Sequence, residues 1–433
     1  MLTSVVAVAL MGVVGAAAKR LSGDWVHPAV VFVFLWIVAC GFPIVVVPEY
    51  ISSGSAALWI LLNVSLVAVG GITGSRFAKR GRRRHPQPER GVAPGHLLSN
   101  HLLRIAVIAC LCGAGLHIVL WLRMQGFNID EVGSLEDAAI VASRMSVQRY
   151  SAAGQATTLL LQLLLSLSLL GPLLGGTLFV RRQGALDTAL ALSTMSPCLV
   201  LFVMQSTRSS VLYSAVMWMA GYMSTRVWCG MKGARVNARV LGIGVLFVLF
   251  SLFLTRVGDL LRLGSAPTAG DMEAGVFTDR VKVIMFGHIL AFSTWFDSAD
   301  LMNINPAVGR HTVAGLFEAV SPGSRASGVY TEPVPVGPGF SNVFTIFRGL
   351  IDDFTLFGSL AVVLVVSFCA GVAYRRVQQH EAHWIGALAG FYALTLWYVV
   401  SIFNYNSVLL ALTTYSVIWM AQQRPRRVAA WAR

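Results

Sequence analysis

The chain has 433 residues, of which 56% are hydrophobic and 12% charged, with a mean hydropathy of +0.70. That composition excludes an ordinary water-soluble globular protein. The apolar runs are continuous and reach the ~20 residues a helix needs to cross a bilayer, so they also exclude a barrel of short alternating strands. The net charge of +14 lies in loops between these runs, where it reads as membrane orientation rather than as a nucleic-acid footprint.

Eleven spans are predicted in chain order: Leu2–Ala18, Ala29–Val47, Ala56–Ile72, Leu102–Leu122, Ala156–Val180, Leu186–Met204, Val211–Ser224, Val240–Leu254, Phe354–Tyr374, Trp384–Ile402 and Ser407–Ala421. The first run has no basic leader and is followed by Lys19 and Arg20, so it is expected to be a retained span with its N-terminus outside. Alternation from there assigns 22 of the 33 basic residues to the inside with four acids, Asp24, Glu89, Asp187 and Glu381. The outside then holds 11 basic and 15 acidic residues, the bias that orients polytopic proteins. The fold expected is all-α and integral to the membrane, a single polytopic domain over residues 1–433.

The basic run Arg76–Arg90 reads as an anchor beside anionic lipid. Gly70-Gly71-Ile72-Thr73-Gly74 lacks the Lys-Ser/Thr of a phosphate-binding loop, and no nucleotide site is expected. The six cysteines show no disulfide framework, and no His/Asp/Glu cluster has metal-ligand spacing. Two outside loops are substantial. In residues 123–155, Ser134-Leu-Glu-Asp137 has the form of a capping box opening a short helix that carries Arg144 and Arg149. Residues 256–353, the large extracytoplasmic loop before the last three spans, have room for a site. Within them Val283–Phe296 is apolar but too short to span, and is expected to lie against the membrane or dip partway in.

Chemistry is expected from the outer cations. Arg208 sits at a hairpin tip, Gln205-Ser-Thr-Arg-Ser-Ser210, flanked by hydroxyls. Arg256 ends a span, Arg280 opens the half-buried segment, Arg310 precedes His311, and Arg348 follows the Gly337-Pro-Gly339 turn. Guanidinium forks bind phosphate oxygens bidentately and stay charged, so these span ends converging on one surface suit a lipid phosphate or pyrophosphate. Single arginines at helix ends also snorkel to headgroups or pair with acids. His311 is a candidate general base, as is Asp353, although an N-cap before Phe354 is the ordinary role for that aspartate. As chain neighbours, Asp352 and Asp353 point in different directions, so at most one faces a common site.

Ser341-Asn-Val-Phe-Thr-Ile-Phe-Arg348 followed by Asp353-Phe-Thr-Leu-Phe-Gly358 resembles a stretch of the Wzy-type oligosaccharide repeat-unit polymerases of O-antigen and exopolysaccharide synthesis. Ser206-Thr-Arg-Ser209 resembles the short arginine-containing turn after a middle span in that group. Phe354-Thr-Leu-Phe-Gly358 is more apolar than the family pattern. The resemblance implies a GT-C-like glycosyltransferase in the bacterial cytoplasmic (inner) membrane, with its active site on the extracytoplasmic side. It further implies undecaprenyl-pyrophosphate-linked glycans as substrates, no cofactor, metal or nucleotide sugar, and a chain-length regulator among the candidate partners. Catalytic roles then fall to His311, Asp353 and Arg208, and pyrophosphate binding to Arg208, Arg256, Arg280, Arg310 and Arg348. The competing readings are an O-antigen ligase of similar build and a lipid-linked oligosaccharide flippase.

Overall fold

The structure, a computed structural model, describes residues 1–80, 100–127, 137, 140–144, 158–205, 208–231, 274–315, 330, 333–337, 339–396 and 401–421. Its helices are α1 (Leu2–Ser22), α2 (Pro28–Val46), α3 (Gly54–Arg80), α4 (Asn100–Met124), α5 (Leu159–Arg181), α6 (Ala185–Ser193), α7 (Ser196–Gln205) and α8 (Arg208–Trp228). They are followed by α9 (Ala274–Ser298), α10 (Ile346–Gln378), α11 (Ile385–Leu396) and α12 (Asn406–Ala421). Between α9 and α10 a hairpin pairs β1 (Val334–Val336) with β2 (Gly339–Ser341), antiparallel, with Val336 opposite Gly339.

Among the described residues, seven segments are long and apolar enough to cross a membrane: α1 to α5, α6 and α7 taken together, and α10. The other four predicted spans are not among them. Helix α8 has the length, 21 residues, but carries Arg208, Ser209, Ser210, Ser214, Ser224 and Thr225. Helices α11 and α12 comprise 12 and 16 described residues, and residues 397–400 of the tenth predicted span lie outside the described residues. The span expected at 240–254 lies outside the described residues, as do Ser134 of the capping box and Arg149; residues 140–144 are helical.

Val283–Phe296, expected to lie against the membrane or dip partway in, is part of a longer helix. It belongs to the 25-residue α9, whose Ile289 and Phe292 are fully buried in a cluster with Trp36, Ile60, Phe347 and Ile351. Residues 289, 292 and 296 recur at helical spacing, and that stripe is buried by packing on α2, α3 and α10. The second difference is the start of the following span. Helix α10 begins at Ile346, eight residues before Phe354, and is interrupted at Thr355 (φ 67°, ψ 174°).

By contacts the chain divides into two compact units. The first is built from α1–α3, α9–α11 and the hairpin; the second from α4–α7, α8 as far as Thr225, and α12 from Ser407. The spine of the first unit is α3 against α10. A Cβ added to Gly74 would lie 2.0 Å from the Phe368 carbonyl oxygen, and one on Gly371 2.0 Å from that of Gly71. The glycine cluster at 70–74 is therefore a helix-packing seam, where the missing side chains let two backbones touch. Ser75 Oγ seals it by donating to the Gly371 carbonyl at 2.9 Å, and receives His27 Nε2 at 2.8 Å. In the second unit α5 and α8 meet the same way, through Gly176 and Gly221.

Three of the four acids assigned to the inside are engaged at helix ends. Asp24 accepts from the Tyr374 hydroxyl at 2.6 Å, and Glu381 pairs with Arg376 at 2.9 Å. Asp187, fully buried, pairs with Arg104 at 2.5 Å. Glu89 lies outside the described residues.

Candidate functional site

Of the residues singled out by sequence, the structure brings Arg310, His311, Arg348 and Asp353 together within the first unit. Arg208 opens α8 in the second unit, and Arg280 lies in α9; the side chains of both are outside the described residues, as is the whole of Arg256.

The site is built on the break in α10. In an uninterrupted helix the carbonyls of Asp352 and Asp353 would accept from the amides four residues on. The turn at Thr355 takes those amides away, and the two carbonyls instead accept the amides of Ala307 (2.9 Å) and Val308 (3.0 Å). The loop closes there through two left-handed residues, Val308 (φ 45°) and Gly309 (φ 88°).

Asp353 then fixes the turn at 311–314. Its side chain is 0% exposed, and its carboxylate accepts the His311 amide at 3.0 and 3.1 Å, the Thr312 amide at 2.8 Å and the Thr312 hydroxyl at 2.6 Å. These are charge-assisted bonds, stronger than neutral ones. Asp353 does not cap a helix beginning at Phe354, since α10 already runs through it; it caps the 311–314 turn from another part of the chain. Asn404 holds the same turn from its other side: Nδ2 donates to the His311 carbonyl at 2.6 Å, and Oδ1 accepts the Ala314 amide at 3.0 Å. Two side chains from distant segments thus satisfy the backbone of one four-residue turn, which makes it rigid. Arg310, exposed, and the partly exposed His311 ride on it.

Asp352 faces elsewhere. Its Oδ2 accepts the Tyr330 hydroxyl at 2.8 Å and lies 3.5 Å from Arg348 Nε. The Arg348 guanidinium carbon sits 3.6 Å from the centre of the Tyr330 ring, 4.0 Å from that of Phe344 and 4.9 Å from that of Trp295. That is an aromatic cage for a cation, and it leaves the Arg348 side chain 11% exposed. The His311 ring stacks on Tyr330, with centroids 5.5 Å apart and planes 6° from parallel. Burial, and then the Asp352 carboxylate, push the Tyr330 hydroxyl well above the usual phenol range, so it stays a donor. The two neighbouring aspartates therefore serve different partners, as their adjacency on one backbone requires.

Beneath the turn lies an apolar cavity of about 210 Å³, lined by Thr312 and Val313 of the turn and by Phe32, Val67, Phe354 and Phe391 among others. Its α10 lining extends from Ile346 to Ala370, on both sides of the break at Thr355. The few polar groups on its wall are hydroxyls such as Ser367 and Thr395. Among the described residues no group of three or more His, Cys, Asp and Glu could hold a metal ion.

Sequence reasoning missed Tyr330, Asn404, Thr312 and Trp295. Asn404 carried a signal, a polar amide at the end of an apolar run; Tyr330 carried none. Chemically, the arrangement offers an imidazole on a fixed turn, a cation beside it, and an apolar cavity reaching away from both. Comparison with protein-family models, with curated proteins and with solved structures finds no match for this chain.

Proposed function

We propose that this protein polymerises undecaprenyl-pyrophosphate-linked oligosaccharide repeat units into a polysaccharide at the outer face of a bacterial cytoplasmic membrane. The observation that carries the reading is the joining of the clamped Arg310–Thr312 turn to the apolar cavity along α10. The isoprene units nearest the pyrophosphate, seated in that cavity, bring the pyrophosphate to the end where Arg310 and His311 stand, the end that the charge pattern assigns to the outside. Arg208, Arg256 and Arg280 are further phosphate-binding candidates by sequence.

In the reaction, a hydroxyl of the acceptor repeat unit attacks the anomeric carbon of the donor glycan. The bond from that carbon to the pyrophosphate oxygen breaks, and undecaprenyl pyrophosphate leaves with the electron pair. His311 takes the proton of the attacking hydroxyl, since an imidazole can act as a base near neutral pH. The arginines stabilise the charge that develops on the leaving group, the electrostatic effect that is usually largest in such catalysis.

The test is elongation of purified lipid-linked repeat units by the full chain in vesicles. A ladder of polymer is expected. Arg208→Lys retains the charge but loses the bidentate fork, and is expected to reduce elongation about a hundredfold while expression persists. His311→Ala is expected to reduce it by about 10²–10⁴. Vesicles that make no polymer, or variants that make it at the wild-type rate, overturn the reading. Deletion of the gene separates the polymerase from a ligase: single repeats remain attached to the cell surface in the first case, and finished polymer remains on its carrier lipid in the second.

A further inference from the structure

Of the polar groups in the first unit, Tyr330 has no part in the proposed reaction, yet it touches Asp352, Arg348 and His311. Its hydroxyl is fixed on Asp352 at 2.8 Å, and its ring lies against the Arg348 guanidinium at 3.6 Å. Its ring also meets Phe344 edge-on, with centroids 5.0 Å apart and planes at 79°. Those three contacts immobilise it in position and in plane. The remaining contact is the parallel stack on His311.

His311 needs that contact. Asp353 and Asn404 fix its backbone amide and carbonyl, but a backbone clamp leaves the imidazole free to turn about its two side-chain torsions. On the α10 side it meets Gly349, where an added Cβ would lie 3.4 Å from the His311 Cβ; a glycine offers no wall against rotation. Among the described residues the stack supplies the wall that the clamp and the glycine do not, while the Asp352 carboxylate acts on the imidazole through charge.

We propose that Tyr330 is the positioning residue of His311, holding the imidazole plane by parallel stacking while Asp352 and Arg348 hold Tyr330. Arg348 is then a caged support for the base rather than a hand on the substrate's phosphate. The stacking itself is independent of what the protein catalyses; its consequence for rate rests on the polymerase reading.

The experiment tracks His311 in the full chain in lipid nanodiscs by its rate of modification with diethyl pyrocarbonate, read on the His311 peptide by mass spectrometry. Tyr330→Leu is expected to raise that rate about fivefold, the worth of one lost stack, and Tyr330→Phe, which keeps the ring, to leave it at the wild-type value. An unchanged rate in Tyr330→Leu overturns the proposal. Should that variant fail to fold, the wild-type chain labelled at histidine decides: a His311 ring-proton resonance shifted upfield by the tyrosine ring current supports the stack, and a random-coil position overturns it. In the elongation assay Tyr330→Leu is expected to lower kcat about tenfold and leave KM for the lipid-linked unit unchanged. Elongation at the wild-type rate removes the catalytic consequence. A stack present in a protein that elongates nothing refutes the polymerase reading and leaves the positioning intact.

Discussion

Asp353→Ala is expected to lower the unfolding free energy by about 3 kcal/mol and to abolish elongation with it. The carboxylate is 0% exposed and is the acceptor for two amides and one hydroxyl of the 311–312 turn. Removing it strands those donors away from water, where each unsatisfied group costs about 1–3 kcal/mol. Asp353→Asn separates this role from that of a base. The amide keeps one acceptor oxygen but turns an NH₂ toward a donor, so its thermal midpoint is expected to fall as well, by less than in the alanine variant. A catalytic base would instead give an asparagine variant that unfolds at the wild-type temperature and makes no polymer. Thermal unfolding in detergent, run beside the elongation assay, distinguishes the two. Stability and activity falling together is the outcome the geometry requires.

Gly371→Ala is expected to cost about 3 kcal/mol or more, and Gly371→Leu to prevent the first unit from assembling. The added Cβ would stand 2.0 Å from the Gly71 carbonyl oxygen and 2.9 Å from the Ser75 amide nitrogen. Both are backbone atoms on α3 that cannot swing aside, so α3 and α10 must separate along the seam. Gly74→Ala meets the Phe368 carbonyl at the same distance and is expected to behave alike. Gly12→Ala is the control. It sits in α1 with no atom within 4 Å of an added Cβ, and there alanine is expected to be neutral or to stabilise by about 0.5–1 kcal/mol through the unfolded chain. Yield and thermal midpoint read all four variants. A Gly371→Ala chain as stable as the parent would mean that the two helices do not meet as described.

The seam shows where sequence reading stops short. Gly70, Gly71 and Gly74 were legible as something other than a phosphate loop, because the lysine and hydroxyl such a loop needs are missing. Their partner could not be read, since Gly371 lies some three hundred residues along the chain and only folding pairs the two. The same holds at α10. The sequence marks an apolar span near Phe354, because hydrophobicity rises there. It carries no mark that the helix starts at Ile346 and breaks at Thr355, since the break is stabilised by amides of residues 307 and 308 that hydropathy does not connect to it.

Sequence alone determined the solvent and the class of this protein: runs of about 20 apolar residues have to be helical in lipid, where every backbone group must be satisfied within its own segment. It also raised the expectation of an orientation through the loop charges, and determined that Asp352 and Asp353 must face apart, because adjacent residues on one backbone cannot share a direction. Only the tertiary structure decided what each aspartate does, that Arg348 is enclosed by three rings, and that Asn404 and Tyr330 belong beside His311. Those facts depend on contacts between residues far apart in the chain, and such contacts are set by packing and hydrogen-bond satisfaction rather than by any local pattern.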